Sequence, residues 1–269
     1  VVGVGSIGER HVRCFTGTGR AELSICEANA ELRKTVAERY QCAAAYGDFD
    51  AAIQDAAHRP DLVLIATPAP LHIPMATAAV RAGLNVLIEK PLSTTTEGVD
   101  ALLDLIAGSS VHAAVAYTYR SHPVVRSMRA AIQSGRFGRP VQVVSVWGQH
   151  FPKYRPAYRQ IYYRSRATGG GAIQDVLTHA VNAGEFFVGP IERVMADAGQ
   201  LVLDGVEVED TVHVIARHRS SISPAGAGGA SPVMGCYSLN QHQRPNENNS
   251  TIIRASGTPP IELLNARRL

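Results

Sequence analysis

The sequence has little cysteine and no cysteine motif. Its four cysteines lack the CxxC pattern and the spacing of metal ligands: Cys14, Cys26, Cys42 and Cys236. Three of them fall in predicted helices or strands, where free cysteine behaves as a small apolar residue. A chain of 269 residues is also long enough to bury a core without crosslinks. We therefore expect reduced thiols, no disulfide framework and no metal site.

Long apolar runs and an excess of charge are missing too. No apolar stretch approaches the roughly 20 residues that a membrane-spanning helix needs, and no basic-then-apolar leader opens the chain. The net charge of +3 is modest, which argues against a nucleic-acid or membrane-surface partner. We expect a cytoplasmic protein. Val1 already lies in a predicted strand and no closing element is identified at Arg267-Arg268-Leu269, so we expect a trimmed version of a longer protein.

Residues 1–119 alternate short apolar strands with amphipathic helices, a pattern typical of a parallel α/β sheet. Asp61–Ala66 is nearly all apolar, as a parallel strand covered on both faces must be. Parallel strands joined by helices imply right-handed crossovers. The first part of the chain is therefore predicted to be a Rossmann domain with a doubly wound sheet.

Residues 120–269 are richer in strands and predict a second, α+β domain with a mostly antiparallel sheet and helices on one face. The predicted strands are Val141–Gly148, Ile191–Leu203, Val206–His218, Val233–Gln243 and Thr251–Ala255. Asp204-Gly205 predicts a hairpin turn, and Ser220–Ser231 predicts a flexible loop. One helix, Ala172–Phe187, interrupts the strands.

A glycine-rich turn, Gly3-x-Gly5-x-x-Gly8, follows the first predicted strand and opens a helix. In that context Gly3 permits a tight turn, Gly5 lets the backbone approach a pyrophosphate, and Gly8 allows close packing of helix on strand. The N-terminus of the helix offers N–H groups and a positive dipole end to phosphate. We therefore predict a dinucleotide at Gly3, Gly5, Ser6, Ile7 and Gly8, the alternative being a purely structural turn.

Glu27 ends the second predicted strand, 19 positions after Gly8. This is close to the spacing of about 20 residues expected for a carboxylate that binds the ribose 2′-hydroxyl. A carboxylate there repels a 2′-phosphate, and the next three residues include no arginine to compensate. The sequence therefore favours NAD over NADP.

Three further residues have the chemistry of a redox site. Lys90 follows a strand end, where ligands of such sheets bind, and its ammonium can favour the ionised form of a substrate hydroxyl as hydride leaves. Asp175 and His179 stand four residues apart, on one face of the predicted helix, and a histidine beside a carboxylate suits proton transfer. Taken singly, Lys90 could be a solvated lysine, and Asp175 with His179 an exposed surface pair.

In combination these motifs resemble the Gfo/Idh/MocA family, the glucose–fructose oxidoreductase and inositol dehydrogenase relatives. The matching segments, in the family's order, are the glycine turn with Glu9-Arg10-His11, Thr67-Pro68, Glu89-Lys90-Pro91-Leu92, Tyr117–Pro123, and Gly169-Gly170-Gly171 leading to Asp175 and His179. The likeness covers nearly the whole chain.

The resemblance implies a Rossmann domain followed by an open-faced α/β domain, whose sheet often serves oligomerisation as a homodimer or homotetramer. It places Lys90, Asp175 and His179 on the family's catalytic positions. Histidine would take the hydroxyl proton, lysine would polarise that oxygen, and aspartate would position the histidine or contact substrate. It further implies cofactor contacts from Thr67, Pro68, His72, Glu89 and Lys90.

The chain departs from the family at two positions near this site. Asn182 stands where the family often has aspartate, and Thr118 where it often has asparagine. These differences bear on the fine contacts to substrate more than on hydride chemistry. The family's usual C-terminal helix is also missing, consistent with trimming.

Tyrosine and arginine crowd residues 151–166, just before the glycine run. Arginine binds carboxylate or phosphate bidentately and tyrosine stacks on sugar faces, which suggests an anionic substrate such as a uronic acid or a nucleotide-linked sugar. A subunit interface explains the composition equally well. The predicted substrate contacts are Arg120, Tyr154, Arg155, Tyr163 and Arg164, beside Lys90, Asp175 and His179.

The sequence thus predicts an NAD(P)-dependent dehydrogenase, with NAD favoured, acting on the CH–OH group of a sugar, sugar acid, nucleotide sugar or cyclitol. One alternative is a glycosidase or isomerase that uses tightly bound NAD in a transient redox cycle. Another is a non-catalytic NAD-binding subunit, against which the presence of Lys90, Asp175 and His179 together argues.

Overall fold

A computed structural model describes residues 1–220, 231–254 and 261–263. The chain divides into two units, Val1–Ala116 and Tyr117–Leu269, and each is described by itself.

The first unit is built on parallel strands. They are β1 (Ser24–Cys26), β2 (Ala44–Tyr46), β3 (Leu62–Ile65), β4 (Asn85–Ile88) and β5 (Ala113–Val115). Val2 forms parallel bridges to both Cys26 and Ile65 and so joins the pair β2-β1 to the row β3-β4-β5. The strand order therefore reverses at Val2, and ligands of doubly wound sheets bind at such a switch point.

Five helices connect these strands. They are α1 (Ser6–Thr18), α2 (Ala30–Tyr40), α3 (Phe49–Gln54), α4 (His72–Arg81) and α5 (Val99–Ala107). Adjacent residues of β1 enter different apolar clusters: Ile25 packs with Val12 and Val36, and Cys26 packs with Ile73 and its neighbours. Because neighbouring strand residues point to opposite faces, helices cover this sheet on both sides.

The second unit is built on a six-stranded sheet. Its strands are β6 (Pro140–His150), β7 (Ile191–Gly199), β8 (Thr211–Ser220), β9 (Ser231–Asn240), β10 (His242–Arg254) and β11 (Ile261–Leu263). They lie in the order β11-β10-β6-β9-β8-β7, and every pair is antiparallel except β6 with β9. The predicted fold class, a parallel Rossmann sheet followed by a mostly antiparallel one, is confirmed.

Helices lie on one face of this second sheet. They are α6 (Pro123–Gln133), the short α7 (Phe151–Tyr154) and α8 (Thr178–Val188), with a π-helical stretch, Ile173–Leu177, directly before α8. Residues of α6 and α8 share one buried cluster with inward-facing residues of β6, β8 and β9. On the opposite face, alternate residues of β8 such as Ile215 are exposed.

The connection between β7 and β8 differs from the prediction. The two consecutive strands do pair antiparallel as a hairpin, but residues 200–210 lie outside both of them, so the predicted tight turn at Asp204-Gly205 is wrong. The reason is the buried carboxylate of Asp210, which accepts the backbone N–H groups of residues 201–203 at 2.6–3.2 Å. These N–H groups bond to a side chain instead of a neighbouring strand.

A buried glutamine divides the predicted strand Val233–Gln243 into β9 and the start of β10. The backbone N–H of Gln241 donates to the carbonyl of Asp210, and its own carbonyl accepts from Phe151. The sheet ladder is interrupted because these backbone groups bond elsewhere. The predicted strand Thr251–Ala255 is the end of β10, apart from Ala255, which lies outside the described residues.

The predicted loop Ser220–Ser231 begins and ends on register partners, because these two serines pair in β8 and β9. Residues 221–230 lie outside the described part of the chain. All four cysteines are free. In residues 1–220, 231–254 and 261–263, no helix is long and apolar enough to cross a membrane, and no group of histidine, cysteine and acidic side chains could hold a metal.

Candidate cofactor and active site

The glycine turn is formed by close backbone contact. Gly3 has φ +76°, and a Cβ there would lie 2.9 Å from the carbonyl oxygen of Ala66. A Cβ at Gly8 would overlap the carbonyl oxygen of Gly3. Both positions therefore require glycine, because the neighbouring backbone of Ala66 and of Gly3 lies too close to admit a side chain.

Gly5 has the opposite surroundings. A Cβ there would meet nothing within 4 Å, and Ser6 and Ile7 beside it are exposed. Gly5 is the N-cap of α1, and no side chain caps the helix. The open side of the turn and the uncapped first-turn N–H groups fit a dinucleotide pyrophosphate.

Glu27 follows β1 and is held by two backbone amides. Oε2 accepts the N–H of Val4 at 3.0 Å, and Oε1 accepts the N–H of Asn29 at 3.0 Å. Arg33 donates to the backbone carbonyl of Glu27 at 2.6 Å. The carboxylate is thus fixed beside the glycine turn, where it can accept a further bond from a ribose hydroxyl.

His72 does not have the predicted role of a cofactor contact. Its ring is 1% exposed; Nδ1 lies 2.9 Å from the carbonyl oxygen of Pro91, and Nε2 lies 2.8 Å from that of Thr67. Since both nitrogens are taken by backbone, the ring has nothing left to offer a ligand. Thr67 is half-buried and Pro68 exposed at the carboxyl end of β3, so these two remain predicted contacts.

Both carboxylate oxygens of Glu89 bond to groups of the first unit. Its carboxylate is 6% exposed; Oε1 lies 2.6 Å from Nε2 of His11, and Oε2 accepts the N–H of Lys90 at 2.9 Å. Burial would raise the pKa of Glu89, but the hydrogen bond and charge of His11 outweigh it and lower the pKa. Lys90 is half-buried and is one of only three lysines, the others being Lys34 and Lys153.

In the second unit the glycine run packs against protein, not open space. A Cβ at Gly170 would overlap the carbonyl of Tyr163. Gly171 has φ +97°, and a Cβ there would lie 2.5 Å from the carboxylate of Glu209. That buried carboxylate accepts the N–H of Ile173 at 3.0 Å and pairs with Arg166. The space beside these glycines is therefore filled by Tyr163 and Glu209, which fix the start of the helix.

Asp175 lies in the π-helical stretch and is 8% exposed, so it is not part of an exposed surface pair. Tyr162 donates its hydroxyl to Oδ1 at 2.8 Å, and Gln241 lies 3.5 Å from Oδ2. Burial raises the pKa of Tyr162, and the charge of Asp175 raises it further. The phenol therefore stays neutral and acts as a donor to the carboxylate.

His179 lies in α8 and contacts two tyrosine rings. The ring centroids of Tyr117 and Tyr119 are 6.0 and 5.6 Å from its own, both in edge-on arrangements. Trp147 in turn packs on Tyr119. These aromatic contacts restrict the imidazole, and the sequence did not predict a role for either tyrosine at His179.

Tyr163 is not a substrate contact in this arrangement. Its side chain is fully buried with a ring centroid 4.1 Å from that of Phe151, and its hydroxyl donates to Gln241. Gln241 in turn lies within hydrogen-bond distance of Asp175, so Tyr163 contacts the aspartate indirectly, through Gln241. Its neighbour Tyr162, for which the sequence predicted no role, contacts the carboxylate directly.

The arginines of residues 151–166 fall into two groups. Arg159 pairs with Asp204, and Arg166 with Glu209. Arg155 and Arg164 are exposed. The predicted contact Tyr154 is exposed too and accepts a hydrogen bond from Asn246 at 2.7 Å.

Arg120 is held against α8. Its Nε donates to Asn182 at 2.9 Å, and its guanidinium lies 5.2 Å from the ring centroid of Phe186. Asn182, one of the two departures from the family pattern, thus serves as the partner of a predicted substrate contact.

Glu209, Asp210 and Gln241 were missed by sequence reasoning. The signal available was Glu209-Asp210, two adjacent acidic residues that interrupt the alternation of valine with polar residues in the predicted strand Val206–His218. No comparable signal marks Gln241, because its burial depends on contacts far along the chain.

Family models match both parts of the chain. The model described as an oxidoreductase family with an NAD-binding Rossmann fold matches residues 1–117, and that of the Gfo/Idh/MocA C-terminal domain matches residues 125–225. The chain belongs to the Gfo/Idh/MocA family. The resemblance drawn from the motifs is confirmed.

Among curated Gfo/Idh/MocA relatives, levoglucosan dehydrogenase of Pseudarthrobacter phenanthrenivorans is 31% identical over 64% of this chain and 44% of its own length. Inositol 2-dehydrogenase of Rhizobium meliloti is 27% identical over 74% of this chain and 61% of its own. The chain thus spans less than two thirds of the length of either relative.

A solved structure shares the fold at similar identity. The WlbA dehydrogenase of Bordetella pertussis, in complex with NADH and UDP-GlcNAcA, has a TM-score of 0.82 and 26% identity, over 99% of this chain and 78% of its own.

Asp210 generates a prediction for stability. Burial alone would raise its pKa, but the backbone N–H groups of residues 201–203 outweigh that effect and lower it. We expect Asp210→Asn to destabilise the second unit by about 1–3 kcal/mol at pH 7, because an amide cannot accept from all of these donors. Fluorescence of Trp147, the one tryptophan, reports unfolding of this unit.

The sign of the pH dependence follows from the lowered pKa. The stabilisation is fully present above the ordinary aspartate pKa of about 3.9 and is lost as the pH falls through the native value. The difference between wild type and Asp210→Asn should therefore shrink in acid. Asp197→Asn, at an exposed position of β7, is the control. Equal effects of the two substitutions at pH 7 would contradict this account of Asp210.

Proposed function

We propose that the chain is the core of an NAD-dependent dehydrogenase that moves hydride between nicotinamide and a hydroxyl-bearing carbon of a sugar, sugar acid, nucleotide sugar or cyclitol. The observation that carries the proposal is the glycine turn with its uncapped helix and fixed Glu27, in a chain of the Gfo/Idh/MocA family. The names of its relatives, dehydrogenases of a sugar and a cyclitol, support this substrate class.

The proposed division of labour follows the two parts of the chain. Residues 1–119 bind NAD, and residues 120–269 bind substrate and associate with other copies. NAD, when bound, supplies the hydride acceptor. Gly5, Ser6 and Ile7 would hold its pyrophosphate, and Glu27 would hold the adenosine ribose.

The proposed chemistry rests on three side chains. His179 takes the proton of the substrate hydroxyl, as a restrained imidazole is suited to do. Lys90 donates a hydrogen bond to the same oxygen and stabilises its negative charge. Asp175, fixed by Tyr162, positions the histidine or binds a neighbouring substrate hydroxyl.

Neither alternative function has support. The relatives levoglucosan dehydrogenase and inositol 2-dehydrogenase carry the names of dehydrogenases. These names favour net oxidation of the substrate over a transient redox cycle. Production of free NADH in proportion to substrate would exclude a cofactor that never exchanges.

The catalytic assignment predicts the behaviour of two variants. Across a panel of sugars, cyclitols and uronic acids with NAD, Lys90→Ala and His179→Ala should lower kcat at least about 100-fold, the usual contribution of a positioned acid–base group. Absorbance of reduced nicotinamide is the measurement. Lys34→Ala and His112→Ala, at exposed positions, are the controls. Rates equal to wild type in Lys90→Ala and His179→Ala would remove both residues from the mechanism.

Cofactor choice gives a separate prediction. A 2′-phosphate beside the Glu27 carboxylate places like charges together, which costs several kcal/mol. Glu27→Ala should therefore raise the ratio of kcat/KM for NADP to that for NAD at least about tenfold. Glu22→Ala, at an exposed position before β1, should leave the ratio unchanged. An unchanged ratio in Glu27→Ala would show that Glu27 does not select the cofactor.

The exposed arginines suggest an anionic substrate, and UDP-GlcNAcA in the WlbA structure is such a molecule. Arg155→Ala and Arg164→Ala should each raise KM for a uronic acid or nucleotide sugar by about 10- to 100-fold, the worth of a charge-assisted hydrogen bond. Neutral sugars should be unaffected, as should the exposed control Arg126→Ala. If the two variants turn over every accepted substrate normally but assemble differently, the arginines belong to a subunit interface.

The uncovered face of the second sheet supports the proposed homo-oligomer. Met195, Ile215 and Cys236 are register neighbours across β7, β8 and β9, and all three are exposed. Contiguous exposed apolar surface marks an interaction site, and a sheet face shared by two copies satisfies two-fold symmetry.

Light scattering tests this interface. Ile215→Glu should shift the protein to smaller species, because a charge would be buried in both copies of a symmetric contact. Leu103→Glu is a matched control, since Leu103 on α5 is 57% exposed, as is Ile215. An unchanged mass in Ile215→Glu would remove this face from the assembly.

A further inference from the structure

His72 is a polar side chain that is almost completely buried, although no cofactor contact requires it to be. The ring is buried at the start of α4. Burying a polar ring is unfavourable unless its nitrogens find partners. Both do, and both partners are backbone carbonyl oxygens: that of Pro91 at 2.9 Å and that of Thr67 at 2.8 Å.

Two carbonyl partners place the ring in contact with two separate stretches of backbone. A carbonyl oxygen can only accept a hydrogen bond, and the imidazole ring supplies the N–H donor. Because the ring is sheltered from water, loss of such a bond would leave a buried carbonyl oxygen without a partner, which costs free energy. The ring therefore holds the backbone at Thr67 and at Pro91.

The two carbonyls belong to the loops that follow adjacent strands. Thr67 lies beyond β3, and Pro91 lies beyond β4 directly after Lys90. On the other side of Lys90, its backbone N–H donates to Glu89, which is bound to His11 on α1. The backbone around Lys90 is thus held on one side by Glu89, which the half-buried His11 contacts, and on the other side by the buried His72.

We propose that His72 is a positioning residue for Lys90: through hydrogen-bond contacts of its ring nitrogens with the carbonyl oxygens of Thr67 and Pro91, it fixes the loop from which the lysine side chain projects. The effect of His72 on reaction rate rests on the proposed function. Its effect on the position of Lys90 does not. A lysine on an unclamped loop would lose the alignment on which rate depends, and small misplacements can cost about 100-fold.

The scarcity of lysine allows a direct test that needs no activity. Reductive methylation with ¹³C-formaldehyde labels the chain's lysines, which are only Lys34, Lys90 and Lys153, and Lys90→Arg assigns the Lys90 signal. In His72→Gln that signal should shift or broaden, while those of Lys34 and Lys153 stay in place. His112→Gln, at an exposed histidine of the same unit, should move none of the three. An unmoved Lys90 signal in folded His72→Gln would overturn the proposal.

The contacts of the ring are tested in the wild-type protein. Long-range ¹H–¹⁵N correlation of the histidine rings should show a ring N–H of His72 that exchanges slowly with water, because it is buried and bonded to backbone. A His72 ring whose N–H exchanges as fast as that of exposed His112 would overturn the proposal. This measurement stands even where His72→Gln does not fold, and His72→Asn then replaces it in the lysine experiment.

A double-mutant cycle separates positioning from a merely structural role. His72→Gln should lower kcat about 10- to 100-fold with little change in KM. In the Lys90→Ala background the same substitution should add little, because the group it positions is already gone. A full additional loss in that background would contradict the proposal. If no substrate yields NADH, the proposed function fails, and the lysine and ring spectra still decide the role of His72.

Discussion

Two adjacent buried carboxylates organise the second unit. Glu209 binds the first amide of the π-helical stretch, and Asp210 binds the amides of residues 201–203. The Asp210 carbonyl also receives the N–H of Gln241, whose side chain reaches Asp175. The placement of a proposed active-site aspartate therefore depends on backbone amides that leave the sheet to bond with acidic side chains.

In the first unit, too, polar side chains near the proposed cofactor site bond to backbone groups outside the sheet ladder. Glu27, Glu89 and His72 each bond to backbone groups that the sheet leaves unpaired at the carboxyl ends of its strands. Polar side chains are buried there because loops between parallel strands have amides and carbonyls without ladder partners. Each bond that satisfies such a group also fixes a loop, so the stability of this edge and the geometry of its side chains have a common origin.

What the sequence could predict was local. The glycine turn, the alternation of strands with helices and the helix around Asp175 and His179 depend on patterns within a few residues, and all are present. The errors involve distant partners. Tyr162 and Tyr163 are neighbours of the same type, and only the fold decides that one reaches Asp175 while the other is buried on Phe151. The division at Gln241 likewise depends on Asp210, 31 positions earlier.

The shortage of lysine bears on why Lys90 is a lysine. Of the 26 lysine and arginine residues in the chain only three are lysines, so arginine provides nearly all of the permanent positive charges. A planar guanidinium spreads its charge over a fork suited to carboxylates and phosphates, whereas an ammonium is a compact point charge on a flexible stem. A single hydroxyl oxygen that gains negative charge is better matched by the ammonium. Because the lysine stem is flexible, its backbone must be fixed if the ammonium is to be placed accurately, and the buried Glu89 and His72 fix that backbone on either side of Lys90.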